Sequence, residues 1–495
     1  MAPALAGMTT GPETHLASFL IPSVGFKDAN RGTAMKKARI IILCVTMVAG
    51  LSLPRLAGAR TETVTARAPF ITTARPQLEA IAPGVEITPL ITTGDVIGGR
   101  LGGYQFSGAP DGIGAYRSAP DRYEVFLNHE TSHYWGDAAD SRVSHLTLNE
   151  NAEVLAASYP IDGREGYWWF CSSTLAYVGD VPWYFTGEEW ARTPRGGMAI
   201  AMNALTGRVV ETPHFGSMSH ENVIPVPDLA RSVVLLPEDS RGGRAQIWAY
   251  FADTVKDAIR GRGALRTWVP DRRLDGDPSP ADISKGESLT GHFVTVKGGE
   301  RLRGERLNDA ANELGAMDFI RIEDAAYDPA QPGVIYFADT GAWSHETREG
   351  RLYKLTADPA RPSRATLEVV LDGDDGDPIV NPDNLGISDE ALVIQEDRNF
   401  PASGYNRVWV WDLATQSLTK VARTDPTEKA MERAGGPGAW ESSGVVDVSE
   451  FFGDGAWLMN VMAHHTKMRQ PGPSLVVDSA RGGGGQLLLV RIPGT

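Results

Sequence analysis

The chain has 495 residues, 42% of them hydrophobic and 22% charged, and carries a formal net charge of −15. That is the composition of a globular protein with a sizeable core. Its acidity argues against nucleic acid or an anionic membrane as partner, so an anionic substrate would need local positive charge from cations or buried Arg.

Taken in chain order, the first feature is an export signal. Met35-Lys36-Lys37 is a basic start, 40–53 is an apolar run, and 56–59 reads Leu-Ala-Gly-Ala. Cleavage is expected after Ala59, with Met35 as the more natural start within the signal region 1–59. The apolar run is short for a spanning helix, and no later segment is apolar enough to cross a bilayer. Cys44 falls inside the signal, which leaves Cys171 as the single thiol of the mature chain and no internal disulfide. Two readings of Cys171 stand side by side: a buried, inert side chain or a metal-bound thiolate.

Residues 60–95 read as a connecting segment, and 96–495 as one all-β domain. Short β-branched or aromatic runs recur at 123–127, 232–236, 246–251, 334–337, 391–395 and 407–411, bounded by Gly, Pro, Asn and Asp. They come in pairs joined by acidic turns: 232–236 leads into 246–251, 334–337 into 350–355, and 391–395 into 407–411. That spacing suits four-stranded blades arranged radially, and predicts a β-propeller of five to seven blades. The charged stretches 254–265 and 298–316 are expected to be helical insertions. A sandwich is the competing architecture, but so many strands would be hard to close in one.

Polar groups gather at the ends of these strands, where a propeller brings distant residues to its central channel. Asn128-His129-Glu130 follows the first run and suits a hard cation that takes oxygen ligands, or else a polar turn. Glu188-Glu189 lies in an aromatic-rich stretch; two such acids are costly to bury without a cation, and Glu189 is expected to face solvent. His220-Glu221-Asn222 precedes another run. Arg321 and Glu323 are two apart, so a strand points both to one face, either as a structural ion pair or as part of an anion site. Asp383-Asn384 is followed a strand later by Glu396-Asp397, and Glu441 to Gly444 by a strand ending near Asn460 and His464. The segment 372–377, Asp-Gly-Asp-Asp-Gly-Asp, lacks the downstream acid of a calcium loop and reads as a polar turn.

In this order the motifs Asn-His-Glu, Cys, Pro-Trp-x-x-x-Thr-x-Glu-Glu, His-Glu, Arg-x-Glu and Pro-Asp-Asn resemble those of the PhoX-type alkaline phosphatases, from about residue 95 to the C-terminus. The signal departs from that family, with Lys36-Lys37 in place of a twin arginine. The resemblance implies an exported, periplasmic or secreted, monomeric propeller that hydrolyses small phosphoesters with iron and calcium ions. It implies that Cys171 binds iron and that Glu221 and Glu323 share the iron pair. Glu130, Glu188, Asp383, Asn384 and Glu396 would hold calcium or the remaining positions, and Arg321 would clamp the phosphate. Two other readings fit the same residues: a lactonase-like hydrolase with a single calcium ion, and a secreted propeller that binds a partner without catalysis.

Overall fold

The computed structural model describes residues 62–495 apart from 100–102, 136, 138, 241–242, 273–277, 467, 470–475 and 478–482. The expected export signal, its cleavage site and Cys44 lie outside the described residues. Among those residues, no helix is long and apolar enough to cross a membrane.

Nearly all regular structure is antiparallel sheet, arranged as six radial blades. The first blade is the meander Pro110–Ala119, Arg122–His129, Arg142–Leu148 and Val154–Ile161. The second comprises Phe170–Val178, Val181–Glu188, Ala199–Asn203 and Val209–Glu211. Ile224–Val226, Ser232–Leu236, Trp248–Ala252 and Gly263–Pro270 make the third, and Ile322–Tyr327, Val334–Asp339, Arg351–Asp358 and Arg361–Asp372 the fourth. An extra strand, Ser288–Thr295, pairs with both Gly263–Pro270 and Arg361–Asp372 and joins these two blades along their outer edges. The fifth blade is Pro382–Ile387, Ala391–Glu396, Arg407–Asp412 and Leu418–Thr424. The sixth is Glu441–Asp447, Ala456–Ala463, Gly484–Arg491 and, from the other end of the chain, Glu86–Thr92.

The first strands of the six blades touch one another in sequence, and the strand of the sixth returns to that of the first, so the ring closes. The second and third strands are the aliphatic and aromatic runs that the sequence marks. Their side chains fill the spaces between blades. A buried apolar cluster lies at each interface, for example Phe185, Val234 and Trp248 between the second and third blades, and Val410, Trp457 and Leu488 between the fifth and sixth. Each large side chain so buried contributes about 1.5–3 kcal/mol.

The stretch 60–95, expected only to connect, supplies three strands. Val64–Phe70 covers the outer edge of the first blade, Leu78–Ala80 that of the fifth, and Glu86–Thr92 completes the sixth. Unpaired outer edges invite pairing with other chains, and these strands cover three of them. The expected helical insertions are present in part. Val255–Ile259 is a short helix, and Gly299–Arg301 followed by Glu305–Asn312 forms the second insertion.

Candidate metal centre

In a four-stranded meander the first strand starts, and the second ends, at the same end of the channel. Six first strands therefore present one acid or thiol apiece at or just before their starts: Asp111, Cys171, Glu221, Glu323, Asp383 and Glu441, the last paired with His464 at 2.9 Å. All six are buried. The backbones meet tightly here. A Cβ on Gly112 would lie 2.3 Å from the Ser173 nitrogen, so the neighbouring first strands could not approach as they do with a larger residue.

The turns that follow the second strands add Glu130, Glu189 and Asp239. Together these side chains form three overlapping groups, each with its ligand atoms within 4.8 Å of one another: Asp111, Glu130 and Cys171; Cys171, Glu189 and Glu221; Glu189, Asp239 and Glu323. Cys171 belongs to the first two groups and Glu189 to the last two. The array is therefore a chain of adjoining positions.

Its electrostatics are unfavourable without cations. Burial, and then the charge of neighbouring acids, pushes the carboxyls of Glu130, Glu221 and Asp383 well above the usual range. Burial does the same to Glu323, against the opposing pull of Arg321. The Cys171 thiol donates to Asp111 Oδ2 at 2.9 Å, and burial followed by the Asp111 charge pushes its pKa up. Neither carboxylate oxygen of Glu221 receives an N–H, nor does Asn384 Oδ1. Buried oxygens normally have donors, so these fit a cation. The donors fit too: a thiolate with carboxylates suits a transition metal such as iron, whereas the all-oxygen group Glu189, Asp239 and Glu323 suits a hard cation such as calcium.

Arg321 lies at the hub as expected. Its guanidinium pairs with Glu323 and with Asp239, Nε to Oδ1 at 3.0 Å, while Nη1 donates to Asn399 at 3.4 Å. Glu130, Cys171, Glu221 and Glu323 fall within the three groups, whereas Asp383 joins none of them among the described residues and acts on Glu221 only through its charge. The Asn384 amide donates to Ser172 at 2.8 Å and leaves its carbonyl oxygen buried without a donor. Asp324 accepts from Asn222 and from the N–H of Leu385, the residue after Asn384.

Four expectations are corrected. Glu188 does not join the cluster; it accepts from the backbone of Trp168 and Met198 and from the Thr193 hydroxyl, all donors that hold its own blade. Glu396 is turned the same way and accepts from Val380 N, Arg407 N, Trp409 Nε1 and Arg398. Glu189, expected to face solvent, instead lies at the hub in the turn after Val181–Glu188, within 4.8 Å of the ligand atoms of Cys171 and Glu221 and of Asp239 and Glu323. Glu323 groups with Glu189 and Asp239, one position away from the thiolate. The segment 372–377 is a satisfied turn: Asp377 pairs with Lys285, and Asp374 accepts from Arg348 N and Glu349 N.

Asp111 and Asp239 were not singled out from sequence. A signal for Asp111 exists, since Pro110-Asp111-Gly112-Ile113-Gly114 repeats the pattern of Pro382-Asp383-Asn384-Leu385-Gly386. Both segments start a first strand. Above the cluster opens a cavity of about 950 Å³, with Glu130, Glu189 and Asp239 in its lining beside Trp169 and Trp190.

No family model and no curated protein matches the chain. Among solved structures, it is similar to the β-propeller domain of the Trilobed protease from Pyrococcus furiosus, described as having an open velcro topology. The match covers 72% of this chain and 91% of that one, with 8% identity and a TM-score of 0.32. A likeness of that degree carries no argument about the site.

Proposed function

We propose that this protein is a metal-dependent phosphoester hydrolase whose hub holds several cations side by side. The observation that carries this reading is the run of three overlapping ligand groups, joined through Cys171 and Glu189, below an open cavity. A single-ion lactonase-like site would need one such group, and a structural calcium site would have no use for a thiol.

Asp111, Glu130, Cys171, Glu189 and Glu221 would hold iron, and Glu189, Asp239 and Glu323 a calcium ion. When bound, these cations supply charge neutralisation for the phosphoryl group and acidify water. The chain's own residues do the rest. Arg321, held through Nε and Nη2 by Asp239 and Glu323, would turn Nη1 from Asn399 to a phosphoryl oxygen at the edge of the all-oxygen group. Trp169 and Trp190 give the cavity an apolar wall that reduces water around the leaving group. Substrate would enter from the cavity that Glu130, Glu189 and Asp239 line.

Elemental analysis of the purified protein together with an assay on p-nitrophenyl phosphate tests the proposal. Iron with calcium, and activity lost in both Arg321→Ala and Cys171→Ala, is the expected result. Retained activity in both folded variants removes it.

A further inference from the structure

The cavity has an acidic floor and a basic wall. The wall comes from the insertion around the helix Glu305–Asn312, with Arg301, Arg303 and Arg306, and is continued by Arg192 and Arg244. Three of these five cations are already neutralised: Arg192 by Glu305 at 2.7 Å, Arg244 by Asp309 at 2.9 Å and Arg301 by Glu300 at 3.8 Å. Arg303 and Arg306 have no side-chain hydrogen bond or ion pair among the described residues. They lie one turn apart, Arg306 N donating to Arg303 O at 3.3 Å.

Their backbone is fixed. Leu307 and Ala311 are buried in the cluster between the second and third blades. The Asn308 amide donates to both oxygens of Glu238, at 3.1 and 2.9 Å, and Gly304 N donates to Ser217 O at 2.8 Å. Two unpaired guanidinium groups on a rigid segment, in a chain with a net charge of −15 and within the cavity of the ligand cluster, form a localised anion-attracting surface. A cavity of about 950 Å³ is far larger than one phosphoryl group needs and has the volume of a small organic ligand.

Resting on the hub's reading as a phosphoryl site, we infer that Arg303 and Arg306 form a second anion subsite that favours phosphoesters whose leaving group carries a further phosphate or carboxylate. The floor takes the phosphoryl group to be cleaved, and the wall takes the distal anion through forked, charge-assisted hydrogen bonds.

The metal-loaded full chain is assayed with fructose 1,6-bisphosphate and p-nitrophenyl phosphate, and bisphosphate binding is measured by calorimetry. In the double variant Arg303→Gln, Arg306→Gln, the ratio of kcat/KM for the bisphosphate to that for p-nitrophenyl phosphate should fall at least about tenfold. Bisphosphate affinity should weaken by a similar factor, with the melting temperature unchanged. Arg303→Lys, Arg306→Lys should recover part of the affinity. A ratio and an affinity that both stay within about twofold of the unsubstituted protein overturn the subsite. If neither compound is hydrolysed but the double variant still binds the bisphosphate more weakly, the phosphatase reading falls and the anion subsite stands.

Discussion

Two sets of buried carboxylates lie only a few residues apart and behave oppositely. Glu188, Glu238, Asp339 and Glu396, at the ends of the second strands, are well supplied with donors from their own blades. Glu238, for instance, accepts from Trp248 Nε1 at 2.7 Å and from Asn308. Glu221, Glu323 and Asp383, around the axis, face other acids. Depth and residue type are alike in the two sets, so neither separates them. The supply of N–H groups does: where the blade provides it, the acid clamps the blade, and where it does not, the acid stays ionised only beside a positive charge.

The largest expected effect comes from breaking the axial set. Glu221→Gln should cost more than about a hundredfold in phosphatase activity and lower the bound iron. Yet it should raise the melting temperature of the chelated protein, since one of several mutually repelling acids is gone. A melting temperature that falls in both states would place Glu221 with the clamps. Next is the converse, Glu396→Ala. It strands two backbone N–H groups, the Trp409 indole and Arg398, and should cost about 2 kcal/mol in urea unfolding with metal content intact. Loss of metal along with stability would blur the distinction.

A smaller effect concerns pH. Burial raises the Asp339 carboxyl to about 6, against three backbone N–H donors that favour its ionised form. A carboxyl with a raised folded-state pKa binds its proton more tightly when folded. Its contribution is fully present below the unfolded value of about 3.9 and is lost as pH rises through about 6. Between pH 4 and pH 6, the stability of the unsubstituted protein should therefore fall relative to that of Asp339→Asn by about 1–2 kcal/mol, read from paired urea titrations. Identical slopes would show that the three donors offset burial. The smallest effect is at the exposed pair Arg192–Glu305, where Arg192→Ala should change thermal stability by no more than about 0.5 kcal/mol.

Part of this contrast is legible in the sequence. The second and third strands of each blade are sandwiched between neighbours, so runs such as 232–236 and 391–395 are aliphatic and stand out. First strands are not legible in the same way. They crowd around the axis and are short or rich in Gly, Ser and Asn, as in Ile224–Val226 or the start of Glu441–Asp447. Arg321 and Glu323 share a face because their spacing fits the two-residue period of a strand. Glu188 and Glu189 are adjacent, so only the register of the blade decides which one reaches the axis. The three outer strands in 60–95 escape notice because their pairing partners lie as many as 400 residues away, at Gly484–Arg491.

The seam between Glu86–Thr92 and Gly484–Arg491 also has a kinetic meaning. During synthesis the N-terminal half of the seam emerges first and must wait for nearly the whole chain before its partner exists. Until that late pairing joins the ends, Glu441 and Asp111 belong to blades that are not yet neighbours across the seam. Ring closure and assembly of the acidic hub thus come together at the end of folding, and a nascent chain presents only part of the hub.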